Sequence, residues 1–349
     1  MATWYCTREH VKTALDYKET SRSDWQIDRA IEAVSRDVES LCHRTFAPVQ
    51  ATRYFDWPNA QRARSWRLWL NQHDVISLDS LTSGGVTIPA ADYFLEPVND
   101  GPPYNRIEVD LASAAAWSGG DTHQQSIVAT GLWGYSNDET AVGALGEALD
   151  ASETAVDVDA ATSAAVGVGS VLRVGEERMT VVGRAQLDTG QTLAVDLAVQ
   201  MSAATVAVQD GAQFAVGEVL LIDGERMLIV DIAGNNLVVK RGWDGSVLAA
   251  HTAGAAVYTP RTLTVQRAAL GTTATAHLTA TALHRWDPPG PVRDLTEALA
   301  MNSVLQKSSG YARTTGSGEG ERESSGRGIR DLRTQVYNSH GRKARTRAV

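Results

Sequence analysis

VGSVLRVGEERMTVV at 168–182 and VGEVLLIDGERMLIV at 216–230 align without a gap, sharing Val168/Val216, Gly169/Gly217, Val171/Val219, Leu172/Leu220, Glu177/Glu225, Arg178/Arg226 and Met179/Met227. Such self-similarity marks an internal repeat. A second match has a different offset: LVVKRGWDGSVLAAH at 237–251 resembles LTVQRAALGTTATAH at 263–277, with Leu237/Leu263, Val239/Val265, Arg241/Arg267, Gly245/Gly271, Ala250/Ala276 and His251/His277 in common. Two offsets imply nesting. Residues 153–184 and 260–284 form one split unit, and 202–258 form a second, complete unit between its halves; tandem units are the alternative. Each unit reads as strands with alternating Val, Leu and Ile joined by glycine turns, so a small β-barrel or sandwich is expected for each. Nesting predicts that Val171 and Val181 share a core with Leu263 and Val265, and Val219 and Ile229 with Leu237 and Val239. Residues 185–201 are an extra strand or linker without an assigned place.

Outside this region the pattern is helical and then mixed. Thr7 precedes REHVKTAL as an N-cap, with Val11, Ala14 and Leu15 as a short apolar stripe. Ser23-Asp-Trp-Gln is a capping box, and Ile27, Ile31, Val34, Val38 and Leu41 recur at helical spacing, predicting an amphipathic helix over 23–43. Asp28, Arg29, Glu32, Arg36 and Glu39 on its other face are solvated charges or subunit contacts. Strands follow in ATRYFDW, at 66–70, in DVISLDSLTSGG and VTIPAADYFLEP around Gly84-Gly85, in NRIEVDL and in SIVATGLWGY, giving a small sheet expected to pack on the helix.

With 349 residues, 43% hydrophobic and 21% charged, the chain has enough apolar material for two or three domains. It carries no apolar run of membrane-spanning length and no signal-peptide pattern, so synthesis and assembly in the cytoplasm are expected. Cys6 and Cys42 are the only cysteines and are read as reduced, Cys42 on a buried helix face. The net charge of −9 is unevenly spread. The middle is acidic, whereas Arg327, Arg330, Arg333, Arg342, Lys343, Arg345 and Arg347 make the C-terminus basic.

The order of several segments resembles the head-to-tail connector, or adaptor, proteins of long-tailed bacteriophages. These are the helix ending His43-Arg44-Thr45-Phe46, the strand around Arg53 and Phe55, Trp69-Leu70 followed by Asp74-Val75-Ile76-Ser77-Leu78, the Tyr93-Leu95-Pro97 turn, and Thr130-Gly131-Leu132-Trp133-Gly134-Tyr135. In that family a further helix follows the Gly-Tyr strand after a short turn. Here the helix signal returns only at Pro291, with Leu295, Ala298, Leu299, Val304 and Leu305 on one side. The chain is thus parsed as an α+β protein: a connector module in two parts, 1–136 and 288–310, a β-rich insertion at 137–287, and a flexible basic tail at 311–349. The resemblance implies a virion protein of the head-tail neck: a homo-oligomeric ring of about twelve copies between portal protein and stopper or tail-completion protein. Genomic DNA would pass non-specifically through its lumen, with no membrane contact, catalysis or cofactor. The acidic insertion is expected on the outside of the ring, since it would repel DNA phosphates. The alternative is a virion-anchored binding module whose β units recognise a carbohydrate or host surface.

No motif points to chemistry. Glu177-Arg178 and Glu225-Arg226 read as a repeated turn with a local ion pair rather than as paired catalytic carboxylates, and His251 and His277 as structural hydrogen-bonding groups rather than metal ligands. Gly167-Val-Gly169 lacks the third glycine of a dinucleotide loop. Beyond the Gly/Ser/Glu-rich stretch TTGSGEGERESSGRG, the tail offers a portal-docking segment, with Ile329, Leu332, Val336 and Tyr337 as apolar anchors and Arg330, Arg333, Arg342, Lys343 and Arg345 as basic partners. DNA contact and an idle tail are the other readings of this segment.

Overall fold

The computed structural model describes residues 3–15, 24–58, 64–308, 314–315, 322–323 and 326–343. These form an α+β fold with five α-helices and several antiparallel sheets. The helices are α1 (Arg8–Leu15), α2 (Asp24–Cys42), α3 (Ala160–Ala165), α4 (Gly290–Ser308) and α5 (Gly326–His340). The Thr7 hydroxyl accepts from the His10 N–H at 3.1 Å and caps α1, as its position predicts. Ser23 of the expected capping box lies outside the described residues.

α2 buries Ile27, Ala30, Ile31, Ser35, Val38 and Cys42, a stripe of three- and four-residue steps. The half that carries Ile27 and Ile31 packs with Trp4, Cys6, Val11 and Leu15, and with Ala300 and Val304 of α4. Farther along, Val38 and Cys42 pack with Tyr5, Phe46, and Val292 and Leu295 of α4. Helices from opposite ends of the sequence therefore complete one another's apolar faces. The buried Ser35 hydroxyl is satisfied by the Ile31 carbonyl at 2.8 Å. Both cysteines are free and buried.

The predicted N-terminal strands all form: β1 (Val49–Phe55), β2 (Arg67–Trp69), β3 (Val75–Ser83), β4 (Val86–Thr87), β5 (Tyr93–Glu96), β6 (Arg106–Val109) and β7 (Ile127–Trp133). Gly84 and Gly85, at φ +57° and +82°, turn β3 into β4 in a conformation that glycine adopts freely. The strands make two sheets, β1-β7-β3-β4 and β2-β6-β5. A single small sheet packed on α2 was expected. Instead the apolar faces of the two sheets share their own core, including Phe55, Leu68, Val75, Leu81, Ile107, Ile127 and Trp133, distinct from the helical cores.

The repeat region contributes β8 (Glu139–Ala144), β9 (Ala155–Asp157), β10 (Val171–Val174), β11 (Glu177–Thr192), β12 (Thr205–Ala207), β13 (Val219–Ile222), β14 (Glu225–Ala233), β15 (Asn236–Lys240), β16 (Ala256–Gln266) and β17 (Ala282–Trp286). They form one antiparallel sheet of ten strands, ordered β12-β15-β14-β13-β16-β11-β10-β17-β8, with β9 beside β16. β11 and β16 pair along their length, from Thr180↔Gln266 to Thr192↔Ala256, with three register shifts. One end of this ribbon enters a core containing Val181, Leu263 and Val265; the other end enters a second core containing Leu193, Ile229, Leu237, Val239 and Val257. Those pairings are the ones that nesting requires.

Two expected core members lie elsewhere. Successive strand side chains point to opposite faces. Leu172 and Val174 enter the first core, while Val171 turns outward into the helical cluster beside Tyr5 and Trp286. Likewise Leu220 and Ile222 enter the second core and Val219 stays half-buried. Residues 185–192 simply continue β11, and Leu193 and Leu197 close the second core.

The β region leaves and re-enters the helical part at one point: the Asp287 N–H donates to the Asp138 carbonyl at 2.8 Å and the Trp286 indole to the Ser136 carbonyl at 3.2 Å. Excision is therefore geometrically simple. It is not energetically neutral, because Val168 and Val171 cover Trp4 and Tyr5 in the helical clusters. Replacing 138–286 with a short Gly/Ser linker should keep the helical circular-dichroism signal but lower the midpoint of urea unfolding. Full retention of stability would contradict the packing described. Leu263→Ala and Leu237→Ala should each cost about 2–5 kcal/mol in the intact chain, read from the same urea curves.

Candidate functional site

Glu177 and Glu225 have no exposed side-chain surface and sit at equivalent places in the two cores. Glu225 accepts from Arg241 Nε and Nη2, both at 2.7 Å, from the N–H groups of Gly242 and Ala249 at 2.9 Å, and pairs with His251 Nε2 at 3.0 Å. Glu177 repeats the set: Arg267 at 2.7 and 2.8 Å, the Ala268 and Thr275 N–H groups at 3.1 and 3.0 Å, and His277 Nε2 at 2.9 Å. Each arginine spends its remaining donors on loop carbonyls, Ala198, Ala203 and Ala249 in one unit, and Asp150, Glu153 and Thr275 in the other.

This corrects the expected local ion pairs. Arg178 and Arg226, next in sequence, point to the opposite strand face. Arg178 donates to Asn137 at 2.9 Å and Arg226 to Asp244 at 2.6 Å. The two histidines are hydrogen-bonding members of the clusters, as their repeat positions predicted. No group of three or more metal-ligating side chains occurs among the described residues.

Burial alone would raise both glutamates, but the hydrogen bonds from arginine, histidine and backbone outweigh it and hold each at about 2. A carboxylate so depressed stabilises the fold above its unfolded value and loses that contribution as pH falls toward the folded one. Each cluster is thus a structural staple. In each, an arginine fork is matched to the carboxylate and the arginine's remaining donors are taken by backbone carbonyls.

The C-terminal residues, expected to form a flexible tail with a free docking segment, are placed differently. α5 lies against α2 and α4. Val336 is fully buried in the helical core and Leu332 packs against it. Ile329 and Tyr337 are half-buried. The imidazole of His340 stacks on Tyr135, centroids 5.5 Å apart. Burial, and then the nearby Arg44, push His340 below its usual range. Arg342 is a tie rather than a steering charge: its side chain donates to the carbonyls of His43, Asn71 and Gln72 and meets the Asp74 carboxylate at 2.8 Å, while its N–H donates to the Cys42 carbonyl at 2.9 Å. Arg333 pairs with Asp37 of α2 at 2.8 Å. Lys343 is exposed, its ammonium 4.3 Å from the Tyr337 ring centre, and Arg330 is exposed on the outer face of α5. Arg345 lies outside the described residues. The helical spacing of Ile329, Leu332 and Val336 carried the signal for this packing, and the adjacent Gly/Ser/Glu run concealed it.

No helix among the described residues is long and apolar enough to cross a membrane.

Three outcomes test these assignments. Arg267→Ala and Arg241→Ala should each destabilise by about 3–5 kcal/mol, because each strands a buried carboxylate. In urea titrations the wild-type chain should lose stability as pH is lowered from about 4.5 toward 2, and Glu177→Gln should flatten part of that slope. Arg342→Ala should speed backbone hydrogen exchange across 329–340 while leaving the β region unchanged.

Searches of protein-family models, curated proteins and solved structures give no match to this chain.

Proposed function

We propose that the chain is a structural virion protein, a ring-forming adaptor between a portal and the stopper or tail, with DNA passing through its lumen. The observation that carries this reading is the helical assembly: α2 and α4, separated in sequence by the whole β region, bury their stripes on each other, and α5 closes the same core. That is the arrangement expected of a connector module interrupted by an insertion. The acidic β units, each a small barrel or sandwich in this reading, project from the outside of the ring, where their charge does not oppose DNA. The C-terminal helix meets the portal with its outward face, Arg330 and Thr334, because Leu332 and Val336 are engaged within the subunit.

A second reading has one specific support. In the second unit, Val199, Met201 and Val247 are exposed on two loops that bond the same arginine, Arg241. The corresponding loops of the first unit, which bond Arg267, carry polar Ser152, Glu153 and Thr273. An apolar rim of this kind suits a binding module.

The test is co-sedimentation of the purified chain with its cognate portal ring. A stable complex with the wild-type chain, weakened at least tenfold by Arg330→Glu with Thr334→Glu, is the expected result. Absence of a complex, together with glycan binding that Met201→Glu and Val247→Glu abolish, would favour the second reading.

A further inference from the structure

Where α5 ends, basic side chains from four segments gather around a buried carboxylate. Asp74, in the loop before β3, is 5% exposed and meets Arg44 Nε at 3.3 Å and Arg342 Nη2 at 2.8 Å. Arg44 follows α2 and Arg342 follows α5. Arg53 of β1 and two histidines, His73 and His340, complete the group. The histidines flank the Arg342 tie on both of the segments that it joins: His73 comes directly after Asn71 and Gln72, whose carbonyls accept from Arg342, and His340 is the last residue of α5.

Both rings are held in surroundings that suit only the neutral form. Arg53 Nη1 lies 3.4 Å from His73 Nε2. A guanidinium can only donate, so this nitrogen is the lone-pair nitrogen of a neutral imidazole. The Phe55 and Trp133 rings stand beside it, each with its centre 6.2 Å away. His340 stacks on Tyr135, and the same tyrosine ring carries the Arg44 guanidinium at 5.1 Å. The Nδ1 of His340 is buried and meets no hydrogen-bond partner among the described residues. An imidazolium bears a proton on each nitrogen, and there the second proton would have nothing to bond.

Charge works in the same direction. Arg44, Arg53 and Arg342 already outnumber Asp74, and Lys343 stands next to Arg342 with its ammonium over the Tyr337 ring. Burial, and then Arg53 and Arg342, hold His73 below its usual range, as burial and Arg44 hold His340. A proton on either ring adds a further positive charge to this group.

We propose that His73 and His340 make the seating of α5 a pH-controlled latch, closed while both rings are neutral and released when they take protons. In a released α5 the rings regain water and titrate as ordinary imidazoles. The docked form is therefore favoured above the usual histidine range and loses that advantage as pH falls through it toward the lower docked values. This window lies well above that of the Glu177 and Glu225 staples, held at about 2, so the helix is freed while the β region stays closed. Release uncovers the patch of Val38, Cys42, Val292 and Leu295 against which Val336 and Leu332 pack. The latch follows from this cluster alone and stands whether or not the chain joins a portal.

The test is hydrogen exchange of the full chain at about pH 7.5 and about pH 5.5, corrected for the intrinsic pH dependence of exchange. Protection across 329–340 should fall about tenfold or more at the lower pH, while that of 171–183 holds. The double variant His340→Phe with His73→Gln keeps a ring on Tyr135 and an acceptor for Arg53 but has nothing to titrate, and there the fall should shrink to about threefold or less. Proton NMR titration of the wild-type imidazoles does not depend on how any variant folds, and should show His73 and His340 titrating below the usual histidine range. Equal protection of α5 at the two pH values, an undiminished fall in the folded double variant, or ordinary titration of both histidines would each overturn the proposal.

Discussion

Each half of the β region is held by a buried carboxylate that needs an arginine, and the position of that arginine in the sequence dictates the topology. Glu225 finds Arg241 sixteen residues on, within one continuous unit. Glu177 finds Arg267 ninety residues on, after the entire second unit has intervened. A carboxylate removed from water without its partner costs several kcal/mol, so the first core is complete only when β16 has returned alongside β11. The nested order of strands satisfies both carboxylates with equivalent geometry. Long-range closure of this kind is slow relative to local pairing, so the second unit has the shorter route to its native contacts.

The same ribbon explains how two cores coexist in one sheet. Residues at the start of β11 are buried, whereas Ala185, Gln186 and Asp188 near its middle are exposed, and burial resumes at Leu193. The register shifts fall in this stretch. Bulges increase local twist and bend, which lets β11 and β16 leave one core and enter the next without a break in pairing. Apolar contact ties the first unit to the helices: Val171 and Trp286 reach the cluster with Val292 and Leu295.

Much of this architecture was legible in the residues. Period-two alternation and Gly84-Gly85 located the strands, and the helical stripe of α2 was nearly complete. The two repeat offsets gave the nested pairing of Val181 with Leu263 and Val265 because identical residues recur at both ends of each match. What periodicity could not give was facing. Val171 and Leu172 are both buried, and only the packed structure says which looks into the sheet core and which into the helices. The Glu177–Arg267 staple was hidden by distance, although acid, arginine and histidine all recurred at repeat positions. α5 was misread because its buried stripe is narrow and its neighbours are low-complexity; tertiary contact with α2 and α4, rather than local propensity, supplies its stability.

Because the chain leaves the helices at Asp138 and returns at Asp287 through paired backbone, the β region is mechanically a side branch. Tension along the chain between the small sheets and α4 would cross one short link of adjacent strands, β8 and β17, and would not run through the staples or the long ribbon. A protein built this way can bear axial load in one part while the other, attached at its side, keeps its shape.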